Sequence, residues 1–165
     1  MALSSDSPLL LQTDFLRFET PPRIALVRTE WNDAIVSELV AGAVRAITQN
    51  GGAPLETLFV PGAVELPFAC RLAARNGADA VIAFGAVIRG GTPHFEYVCK
   101  SVTEGITQLN LTLDIPVIFG VLTLNNEAEA WERLGGVHGH KGEEAGLAAL
   151  KMAWLTRNAG SKPQV

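Results

Sequence analysis

Apolar positions along this chain fall into two alternating rhythms. Four short stretches are apolar almost without interruption: Ile24-Ala25-Leu26-Val27, Leu58-Phe59-Val60, Ala80 to Ile88 and Pro116 to Leu124. Runs of that length with no polar face read as strands buried on both sides. Between them, apolar residues recur at helical spacing. Asp33 to Asn50 carries Ile35, Leu39, Ala43 and Ile47 on one stripe, and further helices are predicted over Ala63–Asn76, Pro93–Leu111 and Gly142–Arg157, with a short one over Glu127–Leu134. Asn50-Gly51-Gly52 and Gly77 supply stop signals. Buried strands that alternate with helices predict a parallel sheet covered on both faces, with right-handed crossovers.

The expected fold is therefore α/β, a flavodoxin-like three-layer α/β/α sandwich built on four parallel core strands. Residues 1–21 read as a tail in which Phe15-Leu16-Arg17-Phe18 alternates as a short strand would, ending at Pro21-Pro22. Residues 22–158 form the domain and 159–165 a second tail. At 165 residues one domain is expected, with no internal linker. Composition adds an expectation about assembly. Hydrophobic residues make up 48% and charged residues 18%, and mean hydropathy is +0.23, where an average globular chain carries about 25% charge. Apolar surface beyond the needs of one core points to burial between subunits and hence a homo-oligomer; a monomer with a large core is the alternative.

Charge narrows the partners. The net charge is −4, the pI is near 5.4 and no basic run occurs, which argues against nucleic acid. The apolar runs fall short of the roughly 20 residues of a membrane helix. Leu9-Leu10-Leu11 lacks a basic flank, so no signal peptide is expected. Cys70 and Cys99 fall in helical patterns with apolar neighbours and read as buried reduced thiols in a cytoplasmic protein, although spacing leaves a disulfide open.

Ligands of open parallel sheets bind beyond the carboxyl ends of the strands. Here the four strand ends carry Thr29-Glu30-Trp31-Asn32, Pro61-Gly62-Ala63-Val64-Glu65, Arg89 to His94, and Asn125-Asn126. The third is the most informative. Thr92 suits a helix N-cap and Pro93 a first turn, so the glycine turn and helix start make an anion site. Position 94 beside it is a histidine, the residue type suited to proton transfer near neutral pH. That pairing suggests proton transfer on a small phosphorylated substrate. Each residue also has a plainer reading: Trp31 as a cover for the sheet edge, Glu65 as a complement to the helix dipole, His94 as a solvated first-turn residue. Arg133 and Lys141 flank Gly135-Gly136-Val137-His138-Gly139-His140 and suit phosphate, or are solvated charges. His138-Gly139-His140 reads as a turn rather than a metal site, and Trp131 and Trp154 as packing or interface residues. Neither a Walker loop nor a G-x-G-x-x-G or nucleophile motif occurs.

Val60-Pro61-Gly62-Ala63-Val64-Glu65-Leu66-Pro67, then Gly85-Ala86-Val87-Ile88-Arg89-Gly90-Gly91-Thr92-Pro93-His94-Phe95, then Gly120-Val121-Leu122-Thr123, followed by Arg133 and Lys141-Gly142, resemble the 6,7-dimethyl-8-ribityllumazine synthase family. The resemblance spans about Ile24 to Ala153. It implies that an amine, 5-amino-6-(D-ribitylamino)uracil, condenses with the ketone of 3,4-dihydroxy-2-butanone 4-phosphate. A Schiff base forms, phosphate leaves, and the ring closes with loss of water. No cofactor or metal is implied.

By position, the resemblance implies that Trp31 stacks on the pyrimidine and that Ala63, Val64 and Glu65 hold the ribityl chain and ring edge. Ala86, Val87 and Ile88 would line the heterocycle, Gly91 and Thr92 the phosphate turn, and His94 would transfer protons. Phe119 and Arg133 would serve a neighbouring subunit's site, Arg133 on the phosphate, with Lys141 assisting. Three positions depart from the family pattern: Trp31 for the commoner Phe, Gly91 for a larger residue, and His140 for Asn. The family forms pentamers, some packed by twelves into an icosahedral shell of 60 chains. The short glycine-rich loop from Arg133 to Lys141 resembles that of shell formers, and the Phe15–Phe18 strand is expected to join a neighbour's sheet. Two rivals share the fold: an archaeal-type riboflavin synthase, which needs no phosphate pocket, and a non-catalytic flavin- or lumazine-binding shell protein.

Overall fold

The computed structural model describes residues 8–159. Four strands, β1 (Arg23–Thr29), β2 (Ala53–Val60), β3 (Ala80–Ile88) and β4 (Val117–Leu124), form one sheet in the order β2-β1-β3-β4. Every neighbouring pair is parallel. All four strands therefore point their carboxyl ends to the same edge, as the alternating sequence pattern predicts.

The strands are apolar throughout because both faces are covered. Ile24, Leu26, Ile82, Phe84, Leu122 and Leu124 face one core, shared with α2 (Asp33–Gln49) and α6 (Lys141–Arg157). Ala25, Val27, Val81, Ala83 and Val121 face a second core, shared with α3 (Leu66–Arg75) and α4 (His94–Thr112). Alternate residues of one strand thus feed opposite layers. Both cysteines are free. Cys70 is buried, which pushes its thiol up to about 12, whereas Cys99 is only half-buried. The spacing alone had placed both inside.

Strand limits run beyond the apolar runs. β1 extends through Arg28 and Thr29, and β2 begins at Ala53. Ladder partners, rather than hydropathy, set those ends. Buried Arg28 is accommodated because its guanidinium donates to Ser37 (2.9 Å) and pairs with Asp33 in the first turn of α2, while stacking over Phe59. The helix expected from Ala63 opens as a 3-10 turn over Ala63–Glu65 before α3 begins.

Two segments depart from their expected form within the chain. Phe15 to Phe18 pairs with no strand of this chain's own sheet. A lone strand has no ladder to join, and the segment instead buries Leu16 and sets Phe15 edge-on to Trp154 at 5.6 Å, after a short helix α1 (Pro8–Leu11). The other follows β4. The helix there is one turn only, α5 (Ala128–Trp131), and the next residues pair as a small hairpin, β5 (Leu134–Gly136) with β6 (Gly139–His140). Positive φ at Gly135 and Gly139 (103° and 72°) lets so short a hairpin close. Of the expected tails 1–21 and 159–165, residues 1–7 and 160–165 lie outside the described residues, among which no helix is long and apolar enough to cross a membrane.

The α2–α6 contact is the tightest in the molecule's first layer. A Cβ at Gly142 would stand 2.1 Å from the Leu39 carbonyl oxygen, and one at Gly146 2.8 Å from that of Ala43. Backbone meets backbone there, so no side chain can rotate away. Gly142→Ala is expected to lower the unfolding free energy by about 1–3 kcal/mol, the usual cost of overpacking, as read from the denaturant midpoint. An unchanged midpoint would mean that α6 does not sit this close.

Candidate active site

The carboxyl ends of the strands are stitched together past the last ladder residues. Glu30 N–H donates to Val60 carbonyl (2.8 Å) and Trp31 N–H to Pro61 carbonyl (3.3 Å), joining the ends of β1 and β2. Asn32 takes a left-handed conformation (φ 58°), which Asn tolerates better than most residues, and its side-chain amide donates to the Ala86 carbonyl of β3 at 2.8 Å. Arg89 N–H donates to the Leu124 carbonyl (2.8 Å), joining β3 to β4. Four separate chain segments are thereby held as one rim.

Most of the residues singled out from the sequence stand on that rim. Trp31 projects its ring into solvent, 74% exposed. Val64 is also exposed, while Ala63 is buried beneath the 3-10 turn. Glu65 turns back on its own segment: its Oε2 accepts from the Gly62 N–H at 2.9 Å, so its carboxylate holds the turn in place. Ala86 is buried, and Val87 and Ile88, at the end of β3, are half-buried. Gly91, Thr92 and His94 are exposed at the start of α4.

The start of α4 differs from the sequence expectation in one respect. Pro93 (φ −63°) occupies the cap position and no side chain caps the helix. Thr92 lies one residue too early to do so. The Glu96 N–H is taken, by the Pro93 carbonyl (3.1 Å) and by its own carboxylate, while the His94 and Phe95 amides are claimed by no cap side chain and are open to an anion. A small cleft lies here, lined by Arg89, Gly90, Gly91, Thr92, Pro93 and Glu96.

Arg89 is a residue that the motif contained but residue-by-residue reading passed over. Its guanidinium stacks over Phe95 (4.2 Å to the ring centroid), pairs with Glu96, and donates to Asn125 Oδ1 at 3.4 Å. It clasps the turn to both α4 and the end of β4. The Arg89 hydrogen bond is the main reason that the Glu96 carboxyl lies below its usual range. On the neighbouring strand end, the Asn125 N–H does the same for Glu129. Both are local clasps in which a carboxylate is stabilised by donors.

Phe119, Arg133 and Lys141 do not join this rim. Phe119 lies on β4 opposite Ala83, five positions before the strand's end, about 17 Å away at the usual rise per residue. It is 41% exposed. Along the free edge of β4 runs a cleft of ≈ 510 Å³ that includes Phe119, Leu122, Arg133, His138, Lys141 and Glu144. Arg133 donates to the Glu129 carbonyl at 2.7 Å, and Lys141 pairs with Glu144 at 2.7 Å. The candidate residues therefore line two clefts, one at the start of α4 and one along the free edge of β4, a division that no local sequence signal announces. Among the described residues no group of three or more His, Cys, Asp or Glu side chains is arranged to hold a metal ion.

The family profile for 6,7-dimethyl-8-ribityllumazine synthase matches residues 21–157. A protein of that name from Kineococcus radiotolerans is 47% identical over 144 residues, covering 86% of this chain and 89% of that protein. Another from Porphyromonas gingivalis is 49% identical over 138 residues, covering 82% and 86%. A third, from Bdellovibrio bacteriovorus, is 44% identical over 135 residues, covering 82% and 75%.

The position of Thr92 generates a test. A capping threonine is worth about 1 kcal/mol, whereas a surface residue without that role changes stability by about 0.5 kcal/mol or less. Thr92→Ala is expected to leave the unfolding midpoint within the smaller figure. A loss near the larger one would restore Thr92 as a cap.

Proposed function

The chain belongs to the 6,7-dimethyl-8-ribityllumazine synthase family, and from that membership and the strand-end rim we propose how its residues divide the family's work. It is a transferase of riboflavin biosynthesis that condenses 5-amino-6-(D-ribitylamino)uracil with 3,4-dihydroxy-2-butanone 4-phosphate, releasing phosphate and water. The observation that carries the assignment of roles is the start of α4: uncapped amides, a glycine turn and His94 in one place.

In this reading the heterocycle lies over the ends of β1 and β3. Trp31 stacks on the pyrimidine face, and its exposure supports that role, since an indole that merely covered the sheet edge would be buried against it. Ala63, Val64 and Glu65 take the ribityl chain and ring edge, with Ala86, Val87 and Ile88 beneath the heterocycle. Glu65's bond to Gly62 N–H fixes the turn without excluding a ligand hydroxyl, because its second oxygen stays free to accept. Gly91, Thr92 and the first amides of α4 receive the phosphate, where the helix dipole favours negative charge.

His94 then acts beside the leaving group. Schiff-base formation removes protons from the amine and delivers them to the departing oxygen. Loss of phosphate and ring closure each need a further proton moved. An exposed imidazole on a fixed helix start serves these transfers in turn. Arg133, Phe119 and Lys141 complete a neighbouring chain's site. Their place in a separate cleft along the free edge of β4 supports that assignment. Apolar side chains exposed at both sheet edges support a homo-oligomer: Leu58 and Phe59 on β2, Phe119 on β4. We place the protein in the cytoplasm as pentamers, twelve of which close a shell.

Mixing the purified protein with both substrates and following lumazine fluorescence tests the reading directly. The wild type is expected to accelerate the reaction, and His94→Ala to lower turnover by ~10²–10⁴-fold, the usual share of general acid–base catalysis, with substrate affinity kept. An unchanged rate in that variant removes His94 from the chemistry. Riboflavin made from lumazine alone would favour the riboflavin synthase alternative, and tight flavin binding without turnover the non-catalytic one. Arg133→Ala is expected to raise KM for the phosphorylated ketone and leave that for the pyrimidine unchanged. Equal loss for both would overturn the phosphate role.

A further inference from the structure

The two cations of the β4 edge are tied to each other through the backbone. Arg133 precedes β5, Lys141 follows β6, and the Lys141 N–H donates to the Arg133 carbonyl at 2.8 Å. They stand across the base of the hairpin. Leu134 packs that base on the α2–α6 core, and its ladder partner His140, where the resemblance implies Asn, ties it to both helices.

His140 ends β6 and is the N-cap of α6. Its side chain is only 8% exposed. Nδ1 accepts from the Glu143 N–H in the first turn of α6 at 3.4 Å. In that tautomer Nε2 carries the proton and donates to Glu38 Oε1 on α2, 3.2 Å away. This bond is the largest influence holding the Glu38 carboxyl below its usual range. Arg45 reaches Glu38 (3.5 Å) and Glu143 (3.2 Å), closing the ring of charges around the imidazole.

Room for the ring exists because residue 42 is glycine. A Cβ at Gly42 would lie 2.1 Å from Cε1 and 2.5 Å from Nδ1 of His140. The ring, the notch and Glu38 form a complementary set that joins α2, β6 and α6 at the residue next to Lys141.

We propose that His140 is a positioning residue for the phosphate-binding arm: seated in the Gly42 notch, it fixes the hairpin base and so determines where Arg133 and Lys141 present their charge. The proposal rests on the assignment of Arg133 to phosphate. His140 touches no substrate. It acts on the placement of groups that do, and a displacement of about 1 Å is enough to cost up to ~10²-fold.

Steady-state kinetics on the assembled protein, with each substrate varied separately and particle mass recorded, test this. His140→Ala is expected to raise KM for the phosphorylated ketone about tenfold, within the range a small misplacement produces, with KM for the pyrimidine and kcat unchanged. His140→Asn restores most of the loss, because Asn is a strong N-cap. Gly42→Ala, which expels the ring, shifts KM in the same sense as His140→Ala. The double variant is no worse than His140→Ala alone, the signature of two residues acting through one contact. Glu38→Ala shifts KM in the same direction and by less.

Equal effects on both substrates, no effect in any of these variants, or additive losses in the double variant overturn the proposal while Arg133→Ala still acts on phosphate alone. If Arg133→Ala is itself unselective, the phosphate assignment falls first, independently of His140. Should His140→Ala fail to assemble, Gly42→Ala and Glu38→Ala decide the matter, since a selective KM shift in neither also overturns it.

Discussion

The backbone bonds that continue beyond the parallel ladder are the constraint on which the site depends. A parallel sheet ends with donors and acceptors that need partners. Here those needs are met between junctions rather than by solvent alone. Glu30 and Trp31 amides bond to the end of β2, the Asn32 side chain to β3, and the Arg89 amide to β4. The loops that bear Trp31, Ala63–Glu65 and His94 are therefore extensions of the sheet. Groups supported in this way keep their relative positions without substrate, which is what a multi-step condensation needs if His94 transfers its protons as proposed.

The same economy of backbone operates between α2 and α6, with glycine in place of hydrogen bonds. Gly142 and Gly146 let α6 approach α2 to backbone contact, and Gly42 leaves the notch that the His140 imidazole fills. Packing of the first layer and placement of the β5–β6 hairpin are consequently one problem. A residue that loosened the helix pair would move Arg133 and Lys141 as well, because Lys141 is the first residue of α6 and is bonded to Arg133. On the proposed roles of Arg133 and Lys141, stability and binding are linked by geometry.

Much of the fold was legible because buried parallel strands leave an unmistakable apolar run, and the rule that ligands gather at strand carboxyl ends located the rim. What was not legible has definite causes. Arg28 reads as a strand end by polarity, yet it continues β1 because Ser37 and Asp33 satisfy it inside the fold. The β5–β6 hairpin has strands of three and two residues, too short for any period to show. Thr92 has the composition of a cap, but the chain enters α4 one residue later than a cap requires. Phe15 to Phe18 alternates like a strand, but pairing depends on a partner that this chain's own sheet does not offer it. Nor could one sequence say that Phe119 and Arg133 line a cleft at the free edge of β4 while His94 starts α4, since sheet order decides that.

That division carries an argument about assembly. The rim lies at the carboxyl end of the sheet, while Phe119, Arg133 and Lys141 lie along the edge formed by β4; the opposite edge is β2. A contact that brings one chain's β4 edge to another chain's rim joins two different surfaces, so it is heterologous, and such contacts close into a ring where the rotation between neighbours closes. A two-fold dimer would instead pair like with like and leave the two groups apart unless both contacts fell within one patch. On the proposed division of roles, each site is then made complete by ring closure. Its phosphate charge is met from two sides, by the amides of α4 in one chain and by Arg133 of the next. Dilution that opened the ring would remove the arginine from every site while leaving His94 in place, so turnover and assembly would share one concentration dependence.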